Sequence, residues 1–233
     1  MTDVVMDPCA ADIRRACEEF DADFGTLERA LRELFRQYPK NTDAAHVFLK
    51  VTALNALYGT QIPLYSARIP VILEVANHIV GLVGIDTDLD RGSEELVWQI
   101  TKVVVSGKAD RSNYSFATKY CSWQRPEFYP IFDSRVVEYL WHLRNHNCVD
   151  RFRKELLWDY PAFKKIVTQF RDKFGLGDFT FKQVDKFLYL QGGTLLSRKG
   201  KVIPPKDRAE IGDTIETLNE NGRDVLPTGT VPR

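Results

Sequence analysis

Apolar residues recur every three or four positions along most of this 233-residue chain, which is the spacing of one face of an α-helix. Leu27, Leu31, Leu34 and Phe35 follow this spacing up to the break at Pro39. Alternating apolar segments with a hairpin signal between them, as a β-sheet requires, do not occur in the sequence. The pattern therefore predicts an all-α fold.

Capping residues, prolines and glycines divide the periodic sequence into separate helices. The run Asn41-Thr42-Asp43 predicts the start of a helix that stops at Gly59, and Pro70 suits the first turn of the next helix. Ser93 opens another helix. Further helices are predicted over 113–123, 134–144, 150–157, 162–174 and 181–190, with Gly175 and Gly192 as two of the stops.

Composition changes near Leu196. Residues 1–195 predict one main helical domain, whereas the following stretch is basic and contains Pro204 and Pro205. The last six residues have no apolar pattern at all. Residues 196–233 are therefore predicted to be a poorly ordered, basic tail that contains proline and glycine.

Several features indicate a cytoplasmic protein. No apolar run approaches the ~18 residues that a membrane-spanning helix needs, and acids stand near the N-terminus, where a secretory signal carries bases. The four cysteines lie far apart in the sequence, which favours reduced thiols over disulfides or a cluster. They are Cys9, Cys17, Cys121 and Cys148.

Charge is balanced overall but unevenly distributed. The net charge is zero and the sequence pI about 6.9, so no global argument for a nucleic-acid partner exists. Residues 98–125, however, carry five bases against Asp110 alone. Such a stretch can bind an anionic polymer locally, although an unevenly charged, solvated surface explains it equally well.

The residues with the clearest chemical meaning lie between Ser112 and Tyr139. Pro126 and Pro130 force a connector between two helices, and Asp133 then falls at or beside the N-cap of the second helix. A carboxylate held there among aromatic side chains can activate water or stabilise a cationic transition state. The alternative is a plain N-cap aspartate.

This segment resembles a known family. IFDSRVVEYL is similar to the aspartate-bearing segment of the helix-hairpin-helix DNA glycosylase superfamily, and the run YSFATKYCSWQRPEFYPIFDSRV resembles its bacterial 8-oxoguanine glycosylase-like branch. VDKFLYLQGG, residues 184–193, looks like the closing helix of that branch. The resemblance spans roughly residues 48–193 and is strong over about thirty of them.

The resemblance implies a bundle of two helical subdomains with a central cleft, which binds duplex DNA and extrudes a damaged or modified base into the cleft. Asp133 would assist cleavage of the bond between base and sugar. In lyase members of the family a lysine attacks the sugar carbon and forms a Schiff base. No cofactor and no membrane partner are implied, and the oligomeric state stays open.

The sequence departs from the family pattern in two places. The glycine-rich hairpin that holds a DNA phosphate is reduced to one glycine, so contacts to the DNA backbone would fall to Lys102, Lys108, Arg111 and Ser112. The usual nucleophile position carries Ser115, and Lys119 follows one helical turn later. Lys119 is then either a nucleophile in a shifted position or a solvated surface lysine.

Aromatic residues around the connector are the third element of the predicted site. A flipped base is held by stacking on such rings. Trp123 is the preferred candidate for this role, with Tyr120 and Phe132 beside it, and core packing is the alternative for each ring.

Two groups of residues have a spacing that could bind a metal ion, but each has a simpler explanation. His142, His146 and Cys148 lack a fourth ligand of matching spacing, so no zinc site is predicted. The alternating acids Asp86, Asp88 and Asp90 lack the glutamate that ends a calcium loop and predict a capped loop before Ser93.

Three functions follow from these observations: a DNA N-glycosylase, with or without lyase activity; a DNA-binding module of the same fold without chemistry; and an all-α interaction protein unrelated to DNA. The reduced hairpin favours the second function, Asp133 favours the first, and the neutral net charge favours the third.

Overall fold

A computed structural model describes residues 7–60, 62–63, 70–103, 113–198 and 200. Within these ranges every regular element is helical, which confirms the predicted all-α class. The elements are α1 (Ala10–Gln37), α2 (Ala44–Tyr58), α3 (Val71–Gly81), α4 (Ile85–Arg91), α5 (Glu95–Thr101), α6 (Tyr114–Gln124), α7 (Ser134–Asn145), the 3₁₀ helix η1 (Lys154–Trp158), α8 (Tyr160–Lys173) and α9 (Phe181–Arg198).

Helix α6 is the central element of the core. Every one of its residues except Ser115 is buried, whereas the 28-residue α1 buries only a narrow stripe. A helix that is surrounded on all sides lies inside a bundle, and an amphipathic one lies on its surface. Helix α6 packs against α5, α2 and α1, so it connects the first half of the chain to the second.

Local capping signals in the sequence are confirmed. Asp43 caps α2 by accepting hydrogen bonds from Ala45 N at 2.8 Å and His46 N at 3.0 Å. Gly59 ends that helix in the left-handed conformation, with φ of 52°. Asp133 is the N-cap of α7, as its place after the two prolines predicts.

Gly192 does not end a helix, contrary to the prediction. Helix α9 runs through it to Arg198, and a Cβ added at Gly192 would lie 2.0 Å from the Arg135 carbonyl oxygen. The glycine is therefore required for the close crossing of α7 and α9. This continuation takes α9 three residues beyond the predicted domain boundary at residue 195, and Leu196 is buried.

The acidic run before Ser93 also differs from its prediction. Asp86, Asp88 and Asp90 belong to the short helix α4 and not to a loop. The left-handed residues Gly84 and Gly92 flank this helix on both sides. Asp86 and Asp88 stand in its first turn, where negative charge interacts favourably with the helix dipole.

All four cysteines are free thiols, as their spacing predicts. Among the described residues, no helix combines the length and apolar character needed to cross a bilayer. In the same ranges no group of three histidine, cysteine or acidic side chains is placed to hold a metal ion. The predicted two-subdomain arrangement stays a prediction, and residues 201–233 of the predicted tail lie outside the described part.

Candidate functional site

Lys119 and Asp133 meet in the core. Lys119 Nζ lies 3.2 Å from Asp133 Oδ2 and donates a hydrogen bond of 2.5 Å to Ser115 Oγ, one turn earlier on α6. Only 2% of Lys119 is exposed, so it is not a surface lysine. The two carboxylate oxygens of Asp133 have different partners. Oδ1 accepts a hydrogen bond from Arg135 N and so caps α7, whereas Oδ2 faces the ammonium of Lys119.

The chain before Asp133 is fixed to α6 by two hydrogen bonds. Phe132 N donates to Thr118 Oγ1 and Ser115 Oγ donates to Phe132 O, each at 3.1 Å. Thus Ser115 contacts both the connector and Lys119, while Thr118 anchors Phe132, the residue immediately before Asp133. These contacts position the carboxylate independently of its role as a cap.

A second carboxyl, Asp185 on α9, lies close enough to interact electrostatically with both members of the pair. Burial raises the pKa of Asp185 to about 7, and the negative charge of Asp133 adds to this effect, although Lys182 and Lys119 act against it. Asp185 makes no hydrogen bond or ion pair with any residue that the structure describes. A carboxyl with a pKa near neutrality can give or take a proton at physiological pH.

Tyr58 covers the pair from α2. Its ring centroid lies 5.5 Å from Lys119 Nζ, and its hydroxyl accepts a 3.0 Å hydrogen bond from Trp123 Nε1. Burial raises the pKa of Tyr58 well above its ordinary value, so the hydroxyl keeps its proton. Helices α2, α6, α7 and α9 therefore each contribute a polar group to one buried cluster.

Trp123, the preferred stacking candidate, already has a partner on its ring. Lys182 Nζ lies 3.5 Å from the ring centroid and 3.1 Å from Glu28 Oε1. Burial lowers the pKa of Lys182, while the carboxylate of Glu28 acts in the opposite direction. A base that stacked on this face of Trp123 would have to displace the lysine.

The other two predicted stacking residues, Tyr120 and Phe132, are buried among other side chains. Tyr120 has no exposed surface, and its hydroxyl donates to Asn41 Oδ1 in the core. Phe132 is 8% exposed and its ring centroid lies 4.6 Å from that of Tyr114 and 5.6 Å from that of Phe163. Neither ring presents a free face to a base, so both pack the core.

The predicted contacts to the DNA backbone are only partly described. Lys102 is exposed directly after α5, with its Nζ 4.0 Å from Glu95 Oε1. Lys108, Arg111 and Ser112 lie outside the described residues. The structure thus shows one solvated cation at the beginning of the predicted basic stretch.

A pocket of about 750 Å³ lies between α1, the end of α6 and the start of α9. Trp123 lines it, but neither Lys119 nor Asp133 does. The expected cleft lined by Asp133 is therefore not this pocket.

Three charged residues of these clusters were not predicted from the sequence: Asp185, Lys182 and Glu28. A charged residue on a helix is ordinarily exposed to solvent. Only the tertiary contacts show that these three side chains are withdrawn from it.

Comparison with known proteins places the first half of the chain in a family. Residues 12–128, just over half of the chain, match the family model HI_0787_N, which is described as an N-terminal domain. The chain belongs to the HI_0787_N family. The HI_0787_N match includes Lys119 and Trp123 and ends at Phe128 in the connector, before Asp133.

The HI_0787_N chain is also similar to an uncharacterized protein of Haemophilus influenzae, with 36% identity over 128 residues. This alignment covers 55% of the chain and 60% of the relative's length. No solved structure matches the chain.

Proposed function

We propose that this chain is a DNA N-glycosylase with associated lyase activity, which removes a damaged or modified base from duplex DNA. One observation carries the proposal: Lys119 Nζ lies 3.2 Å from Asp133 Oδ2 inside a helical core. The resemblance of residues 114–136 to the helix-hairpin-helix glycosylases also supports it. We include in the proposal the arrangement of that family, two helical subdomains with a central cleft.

Lys119 acts as the nucleophile. A lysine attacks the C1′ carbon of a sugar only as a neutral amine, and Asp133 Oδ2 is placed to accept the proton that Nζ must lose. The Nζ electron pair forms a bond to C1′ while the bond from C1′ to the base breaks. The electrons of the broken bond leave with the base.

The departing base needs a proton, and Asp185 can supply it. Its pKa of about 7 leaves the carboxyl protonated in about half of the molecules at neutral pH. The adduct then opens its sugar ring to form a Schiff base, and the ring oxygen takes up a proton. Asp133, which accepted the proton of Nζ, can return a proton to the ring oxygen as the ring opens, and this step restores its carboxylate.

A DNA-binding module without chemistry is the second candidate, and one observation favours it. Lys119 is only 2% exposed, and the 750 Å³ pocket is lined by neither member of the pair. In that case the pair serves only to hold the start of α7 against α6. Buried ion pairs of this kind need not stabilise a fold, but they fix the relative position of helices.

Borohydride trapping on a panel of lesion-containing duplexes tests the proposal. We expect a covalent protein–DNA complex with the wild type and with Lys173→Gln, a matched change of an exposed lysine. Lys119→Arg keeps a cation beside Asp133 but lacks a nucleophilic amine at neutral pH, so it should give none. A complex that survives Lys119→Arg contradicts the assigned nucleophile, and duplex binding without trapping or excision supports the second candidate.

A further inference from the structure

The 750 Å³ pocket has the size of a small-molecule site and a lining with an excess of positive charge. Pockets of 300–1,000 Å³ are typical of such sites. Five cations and two acids line this one, and its floor and rim are formed mainly by Arg32, Arg36, Trp123, Arg125, Lys182 and Lys186. Such a lining favours an anionic occupant.

Three guanidinium groups stand around the rim. Arg32 and Arg36 lie one turn apart on α1, so they share a face of that helix. Arg125 follows α6 and is hydrogen-bonded to Asp90 from outside the pocket. Arg36 is paired with Glu33 at 2.8 Å and Arg32 lies 3.9 Å from Glu28, but their side chains are 77% and 69% exposed. A guanidinium group has five N–H donors, so each keeps donors that a phosphate can reach.

The inner end of the pocket combines an aromatic ring with an unsatisfied hydroxyl. The indole of Trp123 lies there beneath Lys182 Nζ, which Glu28 holds at 3.1 Å. Ser122, another lining residue, is fully buried, and its hydroxyl has no hydrogen-bond partner in the described part of the chain. A buried polar atom without a partner is costly, and this one lies in the wall of the pocket.

We propose that this pocket binds a nucleoside monophosphate group. Its phosphate binds to the rim arginines. Its base displaces Lys182 and stacks on the face of Trp123 that this lysine covers. Stacking of the base on the indole replaces the contact between the lysine and the indole. The group belongs either to a free nucleotide or to a nucleotide in a single strand, and both present the same chemistry.

This site is separate from the Lys119–Asp133 pair. Trp123, Lys182 and Glu28 line the pocket, whereas Lys119, Asp133 and Asp185 do not. The inference therefore holds whether or not the chain is an N-glycosylase. Its test uses undamaged ligands and measures binding only, so its failure and a failure of the trapping experiment are distinguishable.

The experiment is a calorimetric titration of the full chain with 5′-deoxynucleoside monophosphates, the matching nucleosides, inorganic phosphate and a short single-stranded oligonucleotide. We expect the monophosphates to bind more tightly than either nucleosides or phosphate alone. Tighter binding of the oligonucleotide than of the monophosphates assigns the site to a strand, and the reverse order assigns it to a free nucleotide.

Two variants locate the binding. The double change Arg32→Gln with Arg36→Gln should weaken binding at least about tenfold, the effect of losing one or two charge-assisted hydrogen bonds. Arg29→Gln, an exposed arginine of the same helix outside the pocket, should leave it unchanged. Binding that is absent for every ligand, or equal in both variants, overturns the proposal.

Discussion

Lys50 and Lys119 are the two least exposed lysines among the described residues, and they differ in the groups that surround them. Lys50 has no exposed surface, and its Nζ donates to two main-chain carbonyls and to Asn41 Oδ1. Lys119 is equally buried but faces the carboxylate of Asp133. The comparison shows that the chemical nature of the partner, more than burial, separates a structural lysine from a candidate nucleophile.

The Lys50 cluster connects three parts of the fold. Asn41 Oδ1 accepts from Lys50, from Tyr120 and from Gln124, so the segment between α1 and α2 is bound to α6. Burial lowers the pKa of Lys50 to about 8. Neutral carbonyl oxygens can receive a hydrogen bond from its ammonium but cannot hold its proton, and the nearby carboxylate of Asp86 is hydrogen-bonded to Asn41 Nδ2.

The Lys119 cluster contains two carboxyl groups. Asp133 contacts the ammonium directly, and Asp185 has a pKa raised to about 7 by burial. A lysine with such neighbours can lose its proton to a defined acceptor. The predictions below use this difference, beginning with the largest expected effect.

Lys50→Met should destabilise the fold strongly. It leaves two main-chain carbonyls and Asn41 Oδ1 without their shared donor, and breaking such a buried charged network costs roughly 3–5 kcal/mol. Urea unfolding measures this loss, with Lys165→Met at an exposed position as the control. A loss below about 1 kcal/mol would show that the cluster is not a structural node.

Gly192→Ala should disturb the Lys119 cluster and leave the Lys50 cluster intact. The added Cβ would lie 2.0 Å from Arg135 O, so α7 and α9 must separate at the start of α7, next to Asp133. We expect a loss of roughly 2–3 kcal/mol, the scale of overpacking in a tight core. Gly193→Ala is the matched control, because its nearest neighbour there is Arg135 Nη1 at 3.5 Å. Equal effects of the two changes would argue against the close crossing.

Asp185→Asn should stabilise the protein at pH 8 and have little effect at pH 4. Since the folded pKa is raised above the ordinary 3.8, the folded state binds more protons than the unfolded state between these values. Stability therefore falls as pH rises from about 4 to about 7, and asparagine removes that loss, at most roughly 4 kcal/mol. Thermal unfolding of both proteins at the two pH values, with Asp178→Asn as an exposed control, measures it. A gain that does not depend on pH would contradict the raised pKa.

The helices and their caps could be predicted because their signals are local. Asp43 and Asp133 each precede an apolar-periodic segment, and each caps the helix that follows. The contact of Lys119 with Asp133 was only half predictable, since the sequence gives their positions on successive elements but not the path of the connector. That path depends on the hydrogen bonds of Ser115 and Thr118 to Phe132.

The remaining features depend on tertiary packing that no local pattern encodes. Tyr120 and Phe132 look like Trp123 in the sequence, and all three are buried, but of the three Trp123 alone lines the 750 Å³ pocket. Gly192 has the appearance of a helix stop, but α9 continues through it because a glycine is required opposite Arg135. Asp185 has no distinguishing sequence context, and its raised pKa comes from burial beside groups on other helices.

The most direct test of the central claim compares Asp133→Asn with Asp43→Asn. Both aspartates are N-caps, and asparagine caps a helix about as well, so Asp43→Asn should keep its stability to within ~1 kcal/mol. Asp133→Asn also removes the counter-charge of the buried Lys119 and should lose more stability, so excision by both variants is measured at a temperature at which both are folded. Single-turnover excision on the lesion duplex that traps best is measured for both variants and the wild type. The account predicts a loss of about 100-fold or more for Asp133→Asn alone, the scale of losing a positioned acid–base group. Equal excision by the two variants would contradict it and leave Asp133 as an ordinary helix cap.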